Sequence, residues 1–324
     1  MGRSVVNEVK QNSVKYIEIS SDHQGRRLDN YLFSVLKKIP KTRVYKMIRK
    51  GEVRIDGRRV KQDYRLQAGE NLRVPPVYTY QSEMNIEPDS KVVEMIKNNI
   101  LYKDRNLVIL NKPSGMVVHG GTRQSYGVIE AVRKIFKDEA SSIQLVHRLD
   151  KETSGVLMLA RNMQYLTFLH DQFKAKSIRK VYKALLCGHL EKDWIKVDLP
   201  LLKNSLKSGE RLVKVSDDGK DAETIFKLER HVGEMSFVEI ELTTGRTHQI
   251  RVHANALGFP VAGDQKYGDK DQNKKMSKTG LNRLFLHAYE ISVPGSEEYE
   301  PVSVSAPLPD DLSEYLNSIV TVPK

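Results

Sequence analysis

The chain has 324 residues, with 53 Lys and Arg against 41 Asp and Glu, a net charge of +12 and a mean hydropathy of −0.49. That length leaves room for a large cored domain beside a smaller module, and the charge favours polyanionic partners over membrane interiors. No apolar run approaches the roughly 20 residues of a membrane span. Residues 1–20 lack the apolar core of a secretory signal, and Val6 stands where a myristoylation motif needs Ser or Thr. Cys187 is alone, so neither an intramolecular disulfide nor a cysteine-rich zinc site can form. A soluble protein of the reducing cytoplasm, without a membrane partner, is expected.

Residues 26–76 hold 15 Lys and Arg against five Asp and Glu, ten of the twelve surplus positive charges. Within them Leu28, Leu32, Val35, Leu36 and Ile39 recur at helical steps, which predicts a helix with one buried face, ended by Pro40. In a second helix Val44, Met47 and Ile48 point inward. Lys41, Arg43, Lys46, Arg49 and Lys50 then point outward, until Gly51 supplies a stop. Residues 53–55 and 58–60 flank Asp56-Gly57, a strong two-residue hairpin signal, and 71–74 reads as a closing strand before Pro75-Pro76. An isolated basic run is ordinarily a solvated face. Here the crowded like charges repel one another, which is easier to understand if a phosphate backbone neutralises them.

Residues 77–95 are polar, contain Pro88 and show no sustained periodicity, so they read as a linker. A larger domain over 96–320 follows, with strand-like runs at 107–110, 156–160, 181–186 and 237–242 and helical stretches at 128–136 and 164–173. The Lys-rich stretch 270–278 reads as a mobile surface loop. Gly115, Gly120, Gly121 and Gly127 form neither a Walker nor a dinucleotide fingerprint, so no nucleotide cofactor is expected.

The densest polar cluster is 145–155, where His147-Arg148-Leu149-Asp150-Lys151-Glu152-Thr153-Ser154 closes on Gly155 before an apolar strand. On spacing alone a charged turn between two strands is the prevailing reading. The cluster resembles the signature of the RluA-type pseudouridine synthases. So do Asn111-Lys112-Pro113-Ser114-Gly115 with Val118-His119, Lys180-Val181-Tyr182-Lys183-Ala184, and the run from Thr244 to His253, in order and in spacing. The likeness spans about residues 15–315. Branch-level signs at Val74-Pro75-Pro76, Pro200-Leu201-Leu202-Lys203-Asn204 and Ser208-Gly209-Glu210-Arg211 are nearest the RluC branch, which acts on large-subunit ribosomal RNA. Residues 15–76, through Gly25-Arg26-Arg27-Leu28-Asp29 and Arg49-Lys50-Gly51-Glu52-Val53, resemble the alpha-L RNA-binding module. The expected fold is therefore α+β: a helix-helix-strand RNA-binding module, then a mixed, mainly antiparallel sheet flanked by helices.

The resemblance implies isomerisation of uridine to pseudouridine, with Asp150 as the residue on which catalysis depends. Breaking the bond from ribose C1′ to the uracil nitrogen leaves the sugar carbon cationic, so a carboxylate can stabilise it or bond to it. Removing the C2′ proton to give a glycal is the other route, and sequence does not choose between them. Both need an ionised Asp, so a cation must offset burial. Arg246 is the family-matched candidate for an ion pair with Asp150. Its alternative is RNA phosphate, a role open also to Arg251 on the same predicted helix.

Tyr182 alone reads as strand core; by resemblance it stacks on the target uracil and assists loss of the C5 proton. Arg148 suits the vacancy left by a flipped base, with an ordinary phosphate contact as its rival. His147, His248 and His253 read as structural hydrogen-bonding groups rather than metal ligands, since His248 and His253 are five apart and no carboxylate cluster accompanies them. The expectation is a metal-free, cofactor-free synthase acting on large-subunit ribosomal RNA, monomeric by default. The other readings are a non-catalytic RNA-binding or ribosome-assembly protein, and a metal-dependent nuclease that would need carboxylates not found here.

Overall fold

A computed structural model describes residues 8–10, 13–20, 23–36, 39–80, 88–120, 126–137, 142–205 and 211–320. Gly121, Ser208, Gly209, Glu210 and part of the expected linker, 81–87, lie outside the described residues. The chain divides into two compact units, 1–85 and 86–324.

The first unit runs β1 (Glu8–Lys10), β2 (Lys15–Glu18), α1 (Leu28–Val35), α2 (Lys41–Arg49), β3 (Arg54–Ile55), β4 (Asn71–Val74) and β5 (Tyr78–Tyr80). Strands β2, β4 and β3 form one antiparallel sheet in that order, and β1 pairs with β5. Ile17, Leu72 and Ile55 lie side by side in register, with Leu72 and Ile55 buried and Ile17 packed against a core that also holds Leu28, Leu32, Val44, Met47 and Ile48. The helical periodicities thus point where their spacing predicts. Helix α1 stops before Pro40, however: Leu36 leaves helical geometry and Val35 is 43% exposed. Asp56 and Gly57 both take positive φ, 47° and 76°, as a two-residue turn requires, and the second arm of that hairpin is a single bridge between Ile55 and Arg58.

The second unit runs α3 (Ser90–Asn98), β6 (Ile100–Lys103), β7 (Leu107–Lys112), α4 (Val128–Ile135), β8 (Gln144–Leu145), β9 (Ser154–Ala160), α5 (Met163–Lys174), β10 (Arg179–Cys187), β11 (Trp194–Asp198), β12 (Leu201–Ser205) and β13 (Arg211–Val215). It continues with β14 (Glu223–Val232), β15 (Met235–Leu242), α6 (Gln249–Ala256), α7 (Lys270–Lys278), β16 (Leu286–Val293), β17 (Val302–Ser305) and α8 (Asp310–Val320). Its main sheet has the order β11-β14-β15-β10-β16-β9-β7-β6, with β17 on β16 and β8 on β9. Among the described residues of this sheet only β16 and β9 run parallel, so the α+β, mainly antiparallel architecture is as the sequence implies. That parallel seam is tight: Gly155 has φ +110°, and a Cβ there would collide with the carbonyl of Ala288.

Two expectations are corrected. Helix α3 occupies part of the stretch read as a linker, begun by Asp89, whose side chain accepts from the Lys91 N–H, and anchored by buried Ile96. Residues 270–278 are helix α7 rather than a loop. Asp269 caps it, and Asn273 and Met276, three apart on one face, are its buried anchors amid four lysines that hide the pattern.

Candidate active site

Asp150 lies on the loop that leads into β9, at the parallel seam of the sheet. The loop is fastened from below by the turn after β7. Lys112, fully buried, donates from Nζ to the carbonyls of Pro113 (2.8 Å), Met116 (2.9 Å) and Lys151 (3.1 Å). The Gly115 N–H reaches the same Lys151 carbonyl at 2.9 Å, and the Ser114 hydroxyl donates to the Glu152 carbonyl at 2.7 Å. Burial, with Arg283 nearby, pushes the Lys112 ammonium down to about 7, against the pull of Glu152 and Asp150. The two sequence blocks at 111–115 and 147–155 are thus one structural unit.

The cation beside Asp150 is Arg251, not Arg246. Arg251 Nη1 lies 3.3 Å from Asp150 Oδ2, while its Nε and Nη2 hold the two oxygens of Asp264, each at 2.8 Å. Asp264 is buried and also accepts from the backbone N–H groups of Lys266 (2.8 Å) and Tyr267 (3.0 Å). Burial raises its carboxyl, but the hydrogen bonds and charge of Arg251 and those two N–H groups outweigh it and hold the group below its ordinary value. Arg246 is exposed, with its Nε on the Asp221 carbonyl at 3.0 Å. The reason is local. The Gln249 side chain accepts from the Thr244 hydroxyl (2.8 Å) and the Arg246 N–H (2.9 Å), folding 244–248 into a turn, so that Arg246 precedes α6 while Arg251 lies inside it.

His248 caps that helix in the left-handed region, φ 54°. Its Nδ1 meets the Tyr267 hydroxyl at 2.7 Å and its Nε2 lies 3.8 Å from Asp150 Oδ2. It therefore borders the carboxylate as well as bonding structurally. Burial lowers its pKa despite the Asp150 charge. His147 and His253 have purely structural bonds: the first accepts from the Met158 N–H at 3.1 Å, and the second joins Thr224 and the Leu199 carbonyl, both at 2.9 Å.

Tyr182 sits mid-sheet in β10, opposite Ile240 and Ala288, and faces the same cavity as Asp150. Its hydroxyl has no hydrogen-bond partner among the described residues, and burial, then the Asp150 charge, keep the phenol protonated far above neutrality. The cavity measures about 1300 Å³, and its walls carry ten Lys and Arg against two carboxylates, Asp150 and Glu152, which suits a polyanion. Arg148 stands exposed on its wall, and Lys180, with its ammonium 5.6 Å from the Phe173 ring centroid, has no carboxylate partner among the described residues. Burial pushes Lys180 down to about 8.

Comparison with known proteins decides the family. The family described as RNA pseudouridylate synthase matches residues 106–256, and the S4 domain matches 26–72. The "Ribosomal large subunit pseudouridine synthase C" of Haemophilus influenzae is 44% identical over 315 residues, covering 96% of this chain and 97% of that protein. The Escherichia coli K12 protein of the same name is 43% identical, covering 95% and 97%. The chain belongs to the RNA pseudouridylate synthase family. Among solved structures, "Human RNA Pseudouridylate Synthase Domain Containing 4" superposes with a TM-score of 0.59 at 26% identity, covering 71% of this chain and 95% of that one. "Human RNA Pseudouridylate Synthase Domain Containing 1" gives 0.56 at 26%, covering 73% and 98%.

In this synthase the sequence motifs supplied Asp150, Tyr182 and Arg251, although Arg251 was assigned to RNA. They missed Asp264, whose neighbours Gly263 and Gln265 carry no motif. Even so, it fixes Arg251 and is itself tied down by Asn273, which donates to its carbonyl at 2.8 Å. Of the basic residues expected on the amino-terminal unit, Lys41, Lys46, Arg49 and Lys50 are exposed, and Arg43 is half-buried against Glu52 at 3.1 Å. Among the described residues no three His, Cys, Asp or Glu gather as a metal site, and no helix is long and apolar enough to cross a membrane.

Proposed function

We propose that this synthase isomerises uridines of large-subunit ribosomal RNA, with Asp150 as the catalytic carboxylate. The observation that carries the reading is the juxtaposition of the Asp150 carboxylate, the Arg251 guanidinium 3.3 Å away and the Tyr182 ring on one cation-walled cavity. RNA enters by its phosphates, and the target nucleotide is flipped so that uracil lies on Tyr182. Arg148, exposed on the wall, fills the place that the base left.

The C1′–N1 bond then breaks. Asp150 either bonds to C1′ or takes the C2′ proton; in both routes Arg251 supports the carboxylate before the step and the freed uracil stays in the cavity. The base turns and C5 bonds to C1′, as the Asp150–C1′ bond breaks in the first route or as Asp150 returns its proton to C2′ in the second. The C5 proton then leaves and N1 regains a proton, so atoms balance without an added reactant. Tyr182, a protonated phenol next to the ring, is placed to relay the C5 proton, its oxygen taking that proton as its own hydroxyl proton passes on toward N1. Arg246, freed of the ion-pair role, serves RNA phosphate along with Lys180. The protein acts as a cytoplasmic monomer, its amino-terminal cations Lys41, Arg43, Lys46, Arg49 and Lys50 adding charge contacts to RNA.

The test is to incubate unmodified large-subunit RNA with the protein in the presence of chelator, digest to nucleosides and separate them. Pseudouridine is expected from the wild type. Asp150→Asn should make none, a loss of more than about a thousandfold, while binding RNA as before. Turnover by Asp150→Asn would refute the assignment, and cleaved RNA would show a nuclease instead.

A further inference from the structure

Two arginines of the amino-terminal unit are paired with carboxylates. Arg27 is neutralised by Asp29 at 2.8 Å and Arg43 by Glu52 at 3.1 Å. Others are held by main-chain carbonyls instead, and for three of them those carbonyls are consecutive. Arg59 Nη2 donates to the Lys50 carbonyl (3.2 Å), Arg54 Nε to that of Gly51 (3.2 Å) and Arg73 Nη1 to that of Glu52 (2.6 Å). Arg54 adds a second bond, from Nη1 to the Gly57 carbonyl at 3.2 Å. The first of these carbonyls belongs to the cap of helix α2 and the other two follow it, close to the negative pole of the helix, so holding this turn accounts for one or two donors of each arginine. It leaves at least three of the five N–H groups of each, and the whole positive charge, without a carboxylate among the described residues.

The sheet adds a second observation. Tyr16, Arg73 and Arg54 are cross-strand neighbours on β2, β4 and β3. The next row, Ile17, Leu72 and Ile55, packs into the core, so alternation turns Tyr16, Arg73 and Arg54 to the outer face. Tyr16 is 65% exposed, the most exposed large apolar side chain among the described residues. A bare aromatic ring in line with guanidinium groups fixed by backbone is the combination that binds unpaired nucleotides: a base stacks on the ring, and phosphates to either side meet cations that need no reordering. A solvated sheet face would need neither the exposed ring nor three cations anchored around one turn.

We infer that the outer face of the β2-β4-β3 sheet is a second RNA-binding surface, taking an unpaired base on Tyr16 and the adjoining phosphates on Arg73, Arg54 and Arg59. It is separate from the outward cations of α2, beside which the rings of Phe33 and Tyr45 are only half-exposed and packed edge-on against each other, with Lys41 over Phe33. The inference rests on the reading of this protein as an enzyme acting on RNA, and it specifies single-stranded RNA flanking the target rather than a duplex.

The probe is a single-stranded oligoribonucleotide of about a dozen residues and the duplex of equal length, titrated into the full-length protein. Trp194 is the sole tryptophan. A Trp194→Phe, Tyr16→Trp double variant therefore carries a single fluorescent reporter at the proposed stack. Single-stranded RNA is expected to quench it strongly and duplex RNA weakly. Tyr16→Ala should weaken single-strand binding by about 5- to 100-fold at an unaltered salt slope, with Tyr16→Phe restoring it. Arg73→Gln should lower the slope of log affinity against log salt by about 0.7, one phosphate contact on a single strand. Absent quenching, equal quenching by duplex, or wild-type affinity in Tyr16→Ala would overturn the surface. The expected quenching in the double variant, together with wild-type protein that makes no pseudouridine, would overturn the enzymatic reading alone.

Discussion

Arg251 divides its donors between two carboxylates, and the division is unequal: two bonds at 2.8 Å go to Asp264 and one at 3.3 Å to Asp150. Asp264 sets the orientation of the guanidinium, and Asp150 meets what is left over. A planar fork anchored at two of its nitrogens is held to a few tenths of an ångström, which an ammonium or a singly bonded guanidinium is not. Asp264→Asn keeps the shape but surrenders one acceptor and the charge. Pseudouridine formation in a single turnover is expected to fall about a hundredfold, the scale of a 1 Å displacement near the reacting atoms. RNA affinity should fall far less, because Asp264 is buried and is not among the residues that line the cavity. A parallel fall in both would mean that Asp264 serves the fold alone. Asp150 and Tyr182 were legible through motif resemblance. The choice between Arg246 and Arg251 was not, because it turns on where α6 begins: Gln249 folds the preceding turn with its side chain, and no spacing rule reports that.

At the scale of elements, the loop bearing Asp150 has little regular structure of its own and borrows rigidity from the turn after β7. Lys112 is the shared fastener, with three carbonyls on one ammonium that burial pushes down to about 7. Lys112→Met removes the buried charge, which favours folding, and strands those carbonyls, at about 1–3 kcal/mol for each that finds no water. The carbonyls are expected to prevail. Stability should drop by about 1–3 kcal/mol, and turnover at saturating RNA by at least about tenfold, as the Asp150 loop loosens. Thermal unfolding and steady-state kinetics of the same variant check both halves, and a stable variant with full turnover would count against the fastening role.

The same scale explains which elements the sequence hid. Strands β7, β9, β10 and β15 announce themselves as apolar runs because both of their faces are packed into cores. Helix α7 presents only Asn273 and Met276 to the core, too sparse a signal among Lys270, Lys274, Lys275 and Lys278. Yet that helix supplies the Asn273 bond to Asp264. A support of the site therefore lay in the stretch that looked least structured.

On the scale of the whole molecule, charge and burial are segregated along the chain. The first 85 residues carry a small core and a basic surface, which composition alone made legible. The second unit buries its titratable groups, and that cost appears only in three dimensions. His147 and His287 are both driven down to about 4 from an ordinary 6.5, mainly by burial, with Lys180 adding to the first and Arg283 to the second. Well above pH 6.5 neither the folded nor the unfolded form protonates them, and they make no pH-dependent contribution. Between 6.5 and about 4 the unfolded chain binds protons that the folded chain refuses, so stability falls as pH falls. Each histidine contributes on the order of 3 kcal/mol to that loss once pH 4 is reached. Trp194 lies in the second unit, so its emission during thermal unfolding reports on that unit. The melting temperature should hold near pH 7 and decline progressively below 6.5. His147→Gln keeps an acceptor for the Met158 N–H but cannot titrate, and it should remove part of the decline while leaving the remainder to His287 and the other buried histidines. An acid limb of unchanged steepness in His147→Gln would mean that the acid sensitivity arises elsewhere.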